Sequence, residues 1–474
     1  MDEKTYKIFL FIFYILSFIN YSISEEKQYF PKCGIYEEKF TPIVLKGIPL
    51  SKNSSSIKRG LDSEKYFKDF NIYLDLKNLD IEIEQNNLNK YREIYISSMT
   101  KAINTLTKLL KVVPFETNSQ ILDEDLEDIG LVSWDKTKVG TEAYNNGISI
   151  PSLGIDLIIF GKIMDVNPST LASAGARYLD TNNRPFIGIV NINKNVDYSL
   201  DKSREYLESI IIHEFTHILG FANYFFVNYF HNVYWEVDTY GVNRAYINSS
   251  KVLEVAKKYY ACDDLKGVAL EEYGGSGTVG SHWEAKILLG EYMNGVIYTN
   301  EQVISEFTLA LLEDSGFYKA NYYTGGLMRY GKHKGCSFVK ESCVDRKNHT
   351  INPLFENEFY DQIHSDYQRD SSCSSGRQSR TYYAWRLYYN LQTNYPYYVY
   401  FENPNYGGFG PADFCPVAQS ISNEETTAHY TGQCNKKGNG GYLLIYIIQM
   451  VKYIQVKVYR VLLEKLIQKN HFVF

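Results

Sequence analysis

The sequence predicts an α+β fold, and three features carry that expectation. First, residues 70–76 alternate apolar with polar, and 155–160 and 186–192 are short β-branched runs; all three read as strands. Second, a helix should follow from about Ser203 to Leu219. Ser203 is a candidate cap, Leu207, Ile210, Ile211 and Ile218 fall at helical spacings, and Gly220 is a stop. Third, five of the seven cysteines lie after residue 330, which predicts an irregular, disulfide-stapled C-terminal region. Helical patterns also cover 91–113, a stretch near 251–260 and 300–314. Strands followed by a helix that bears charged and imidazole side chains point to a catalytic unit.

At 474 residues the chain can bury a substantial core. Its 45% hydrophobic and 22% charged content excludes wholesale disorder or a chain embedded throughout in lipid. A net charge of −6 gives no electrostatic case for a nucleic-acid partner. Lys4 and Lys7 precede an apolar run at 8–19, and the small residues Ser22 and Ser24 follow, as in a cleaved secretory signal ending near residue 24. Secretion, or exposure at the cell surface, suits the cysteines Cys33, Cys262, Cys336, Cys343, Cys373, Cys415 and Cys434, whose odd number leaves at least one thiol without an internal partner. It also suits the glycosylation triplets at Asn53, Asn248 and Asn348. The tail beyond about 436 holds an apolar run at 442–451, too short and too closely followed by lysines for a membrane span or lipid-anchor signal, so membrane attachment at this end is not supported. Its style departs from the preceding region, and we expect it to be foreign to the folded protein, as a read-through intron would be.

The central signal is His213-Glu214-Phe215-Thr216-His217. On a helix the two histidines lie one turn apart on the same face, so their imidazoles converge. Neutral imidazole nitrogens suit zinc, and Glu214 stands between them as general base for a water. A third protein ligand is usual at such a site. Gly220 holds the glycine position of the extended HExxHxxGxxH motif, but Asn223 occupies its last position, so the short-range form fails. A histidine in a glycine-rich context comes 65 residues after His217, in Gly274-Gly275-Ser276-Gly277-Thr278-Val279-Gly280-Ser281-His282-Trp283-Glu284, and Met293 follows it by 11.

These segments resemble the leishmanolysin family of zinc metallopeptidases, as do 184–191, 255–262, 266–271 and 305–318; the likeness covers about 70–435. The resemblance implies a metzincin-type catalytic domain with a mixed twisted sheet and an active-site helix. It makes His282 the third ligand of one zinc ion per chain beside His213 and His217, Met293 the Met-turn residue beneath the metal, and Cys262 and Cys336 a disulfide. Pairings among the remaining C-terminal cysteines stay open. The implied organisation is a signal peptide (1–24), a short pro-segment (25–65), a catalytic subdomain with the HExxH helix (66–225), an insertion with the third histidine and Met-turn (226–330), a cysteine-containing domain (331–435) and the atypical tail (436–474). Cys33 is the one candidate for an inhibitory cysteine switch, although no histidine flanks it, and no cysteine stands at 174–178 where relatives often carry one. The function implied is a secreted zinc endopeptidase acting on proteins or peptides. The alternatives are a catalytically silent zinc-binding surface or adhesion protein on the same fold, and a zinc hydrolase of non-peptide bonds.

Overall fold

The computed structural model describes residues 42–44, 47–49 and most of 66–420. Within that last span 116, 120, 148–152, 239–240, 275–277, 297–301, 323–327, 329, 356–371, 374–379, 384–385, 388–390, 395, 401–403, 405 and 416–417 are not described. The expected signal segment, Cys33, Asn53, Cys434 and the tail 436–474 lie outside the described residues.

Alternating burial organises the main sheet. Its strand order is Ile43–Val44, Ala172–Leu179, Pro185–Asn193, Leu157–Met164 and Ile72–Asp75, with parallel pairing everywhere except between Ala172–Leu179 and Pro185–Asn193. Successive side chains point to opposite faces. Accordingly Leu157, Ile159, Val190 and Ile192 enter one core cluster, while Ile158, Phe160, Ile187 and Ile189 enter another. Both faces are covered, so the strands read in sequence as near-continuous apolar runs.

The first cluster is closed by helices Lys77–Gln85, Arg92–Leu109 and Asp201–Ile218. Close approach of helix to sheet depends on two strand glycines. A Cβ on Gly188 would come within 2.4 Å of Ile218 Cγ2, and one on Gly161 within 2.9 Å of Leu79 Cδ2. The helix Asp201–Ile218 buries Leu207, Ile210, Ile211, Phe215 and Ile218 in this cluster. The stretch Tyr206–Phe230 is apolar and long enough to cross a membrane by composition, but most of it is buried inside the protein, as befits a core helix.

Several elements differ from expectation for identifiable reasons. The helix expected over 91–113 ends at Leu109, and Leu110–Val112 runs as a strand between Lys68–Asp69 and Tyr318–Ala320. Leu110 and Val112 are buried and Lys111 is exposed, so local pairing overrides helical periodicity there. Ser203 lies inside its helix rather than at the cap; the helix opens at Asp201 after an extended Leu200. The helix expected from 300 starts at Glu306, capped by Ser305, whose hydroxyl accepts from the Thr308 N–H at 3.5 Å. The strand Ala172–Leu179 was invisible because its alanines, serine and glycine lack the β-branched signature.

The chain divides into two units. Residues 30–355 with 385–416 form one; 1–29, 356–384 and 417–474 form the other, whose described part is a sheet of strands Ser372–Cys373, Arg380–Tyr383 and Ala418–Ser420. In the larger unit Cys262 is bonded to Cys336 and Cys343 to Cys415. Asn248 and Asn348 are both exposed.

Candidate metal centre

Helical geometry places His213 and His217 one turn apart, and their Nε2 atoms lie 2.9 Å from each other. His282 arrives from outside the helix with its Nε2 3.2 Å from that of His213. All three rings are buried, at most 2% exposed. Two nitrogens bound to one tetrahedral zinc ion at about 2.0 Å are roughly 3.3 Å apart, so the observed spacings fit a single ion.

Tautomer decides whether the rings can bind metal. Each Nδ1 faces a backbone carbonyl: His213 that of Tyr292 at 2.5 Å, His217 that of Phe221 at 2.5 Å, and His282 that of Thr278 at 2.9 Å. A carbonyl can only accept, so each Nδ1 carries the proton and each Nε2 turns its lone pair to the shared point. Burial, then the adjacent His217 and His282, hold the His213 imidazole well below its ordinary 6.5. Burial holds His217 at about 4, and burial with the neighbouring His217 holds His282 at about 3. All three shifts favour the neutral ring, as metal ligation requires.

Each carbonyl is delivered by a specific turn. Gly220 has φ +116°, a conformation that side chains disfavour, and it folds the chain so that Phe221 presents its carbonyl to His217. Asn223, where the short motif would place its third histidine, donates its backbone N–H to Ser281 Oγ at 3.1 Å. Its side chain packs 3.3 Å from where a Gly280 Cβ would lie. The segment that brings His282 therefore lies against the position the local ligand would have taken.

Met293, fully buried, sits in a turn where the Asn294 N–H reaches the Glu291 carbonyl at 3.1 Å. This turn touches the histidines twice: through the Tyr292 carbonyl on His213, and through Gly295, whose Cβ would lie 3.6 Å from the His282 ring. The Tyr292 hydroxyl also meets Thr216 Oγ1 at 3.0 Å, tying the turn to the helix. Glu214 is fully buried on the same helix. Among the other histidines in the described residues, His231, His333 and His349 do not join the cluster.

Sequence reasoning missed the residues that hold this turn. The Glu291 carboxylate accepts from Ser305 Oγ and Thr308 Oγ1, each at 2.7 Å, and from the Met293 N–H. Burial nevertheless raises its pKa to about 7. Thr308 in turn accepts from Trp283 Nε1 at 2.9 Å, next to His282. A second network surrounds the buried Arg244, which donates to Glu272 at 2.5 Å, Glu284 at 2.8 Å and Asp413 at 2.6 Å. Glu271 joins it to the metal side, its N–H donating to the His282 carbonyl at 2.9 Å. An acid in a loop gives no periodic signal, and Asp413 comes from far along the chain, so sequence alone could not assemble these groups.

An α+β fold with a mixed sheet, a buried HExxH helix and a third imidazole seated over a tight turn is of the metzincin-like class. The chain belongs to the leishmanolysin family, Peptidase M8, whose sequence model matches residues 84–439. It is 34% identical to a leishmanolysin homolog of Crithidia fasciculata over 212 residues, 44% of this chain and 31% of that protein. A leishmanolysin-like peptidase of Drosophila melanogaster is 43% identical over 95 residues, 20% of this chain and 14% of the relative. Leishmanolysin of Leishmania major is 25% identical over 344 residues, 72% of this chain and 53% of the relative. The matches thus span between about a seventh and about half of these curated relatives' own length.

Proposed function

We propose that this protein is a zinc-dependent endopeptidase, in which His213, His217 and His282 hold one zinc ion and Glu214 is the general base. The observation that carries the reading is the convergence of three Nε2 lone pairs, each ring fixed in the metal-binding tautomer by a carbonyl on its Nδ1. Zinc bound there supplies Lewis acidity, making water more acidic and polarising a peptide carbonyl.

The chain's own residues do the rest. Glu214 takes the proton of the attacking water as the new C–O bond forms, then hands it to the amide nitrogen as the C–N bond breaks. The fixed histidines keep the donor geometry constant through that transfer, and Met293 forms an apolar floor beneath them. Family membership supports peptide or protein substrates. The N-terminal apolar run, the two disulfides and the exposed triplets at Asn248 and Asn348 support a secreted or cell-surface, glycosylated protein. The domain boundaries expected from the sequence, and the inhibitory role of Cys33, belong to this same reading. Wild-type latency unchanged in Cys33→Ser would remove the switch.

The test is casein cleavage by the zinc-loaded, activated protein beside Glu214→Gln. Chelator-sensitive cleavage that falls by about 10²–10⁴-fold in the variant, with zinc content unchanged, is the expected result. Equal zinc in both proteins and no cleavage by either would favour a silent scaffold. Cleavage undiminished in Glu214→Gln would remove Glu214 as base.

A further inference from the structure

Beyond the three histidines, a second group of potential ligands lies behind His282. Carboxylate oxygens of Glu271, Glu272 and Glu284 all lie within 4.8 Å of one another. Two oxygens each about 2.4 Å from one calcium ion can be at most about 4.8 Å apart, so the three can share a single ion of that size. Glu271 and Glu284 are each 1% exposed and Asp413 beside them is 3% exposed.

Two observations distinguish this group from an ordinary acidic cluster. Glu271 Oε2 is buried and has no hydrogen-bond partner in the protein, and the same is true of Asp413 Oδ1. The acids also outnumber the bases. Arg244 contacts Glu272, Glu284 and Asp413, and Lys286 Nζ stands 4.0 Å from Asp413. Asp238, on the rim, also takes Arg244 at 3.2 Å. Even with Asp238 set aside, four carboxyl groups face two basic groups among the described residues, an excess of two acids over bases. Buried carboxylates need compensation. A divalent cation would let the three glutamates ionise together and give the Glu271 oxygen a partner.

We propose that Glu271, Glu272 and Glu284 form a calcium site distinct from the histidine centre. The all-carboxylate donor set is that of a hard cation, and its irregular origin, from two separate stretches of chain, suits calcium better than the strict octahedron of magnesium. The ion would fasten the loop that bears His282. Glu271 already donates its N–H to the His282 carbonyl, and Glu284 caps the short helix Ala285–Leu288 two residues beyond it, accepting from the Lys286 N–H at 2.8 Å.

The test uses the full chain, saturated with zinc and freed of other metals, then dialysed against calcium chloride. Calcium and zinc per chain are measured by elemental analysis, and the unfolding midpoint is followed against calcium. The expected result is about one calcium per chain, unaltered zinc, and a midpoint rise of about 5 °C at a hundredfold excess over Kd. Glu271→Gln preserves size and should weaken calcium binding at least tenfold while keeping zinc. Glu272→Gln should do the same, and serves if the first variant fails to fold. Glu93→Gln, on the exposed face of its helix, should bind as wild type does. Absence of calcium in the wild-type protein at millimolar concentration would overturn the proposal, leaving shared protons to neutralise the cluster. So would calcium retained in both cluster variants, or a second zinc taking the place of calcium.

Discussion

The two halves of the candidate metal centre are held by different physics. His213, Glu214 and His217 ride on a helix whose other face is pressed into an apolar core by Ile210, Ile211, Phe215 and Ile218. His282 and Met293 ride on irregular chain, and what fixes them is polar: Glu291 on Ser305 and Thr308, Thr308 on Trp283, and the network around Arg244. Apolar packing is tolerant of exchange provided volume is conserved. A buried polar network is not, because each lost partner leaves another group unsatisfied. Damage to the apolar packing of the helix-borne half should therefore lower stability alone. The loop-borne half should lose metal affinity along with stability.

Glu291→Ala is expected to have the largest effect. It strands two hydroxyls and the backbone N–H groups of Met293 and Ser305, and should cost about 3 kcal/mol of stability and weaken zinc 10–100-fold, by denaturation and competitive chelation respectively. A pH signature accompanies it. The Glu291 carboxyl is raised in the fold from 4.5 to about 7, so its contribution is full below 4.5 and is lost as the pH rises through 7. Glu291→Gln should flatten the fall in stability across that window. A slope unchanged in the variant would show that Glu291 is not its source.

Gly188→Ala tests the other half. The added methyl would meet Ile218 Cγ2 at 2.4 Å, and should cost about 2 kcal/mol while zinc affinity stays at the wild-type value. Zinc weakened as much as in Glu291→Ala would erase the distinction between the halves. Gly220→Ala should be the mildest. It forces a side chain to φ +116° and should cost about 1 kcal/mol, with a small loosening of zinc through the Phe221 carbonyl on His217.

The same contrast explains what could be read without a structure. The helix Asp201–Ile218 announced itself through Leu207, Ile210, Ile211 and Ile218, because one buried face imposes a period. Strands Pro185–Asn193 and Leu157–Met164 were legible instead as short apolar, β-branched runs, because both of their faces are covered. Ala172–Leu179 was not, since its small residues pack by shape rather than by bulk. His282 could be picked out only because its glycine-rich surroundings resemble a family pattern; no periodicity leads from His217 to it. Glu271, Glu284 and Glu291 were in view throughout as loop acids, which are ordinarily solvated. Their roles depend on Arg244, Thr308 and Asp413, partners brought up by the fold.

The central claim is that a histidine 65 residues beyond His217 completes a site for one metal ion. X-ray absorption at the zinc edge, on zinc-loaded wild type and His282→Ala, tests it most directly. Three imidazole nitrogens at about 2.0 Å in the wild type, falling to two in the variant, are expected. An identical nitrogen count in both proteins would contradict it.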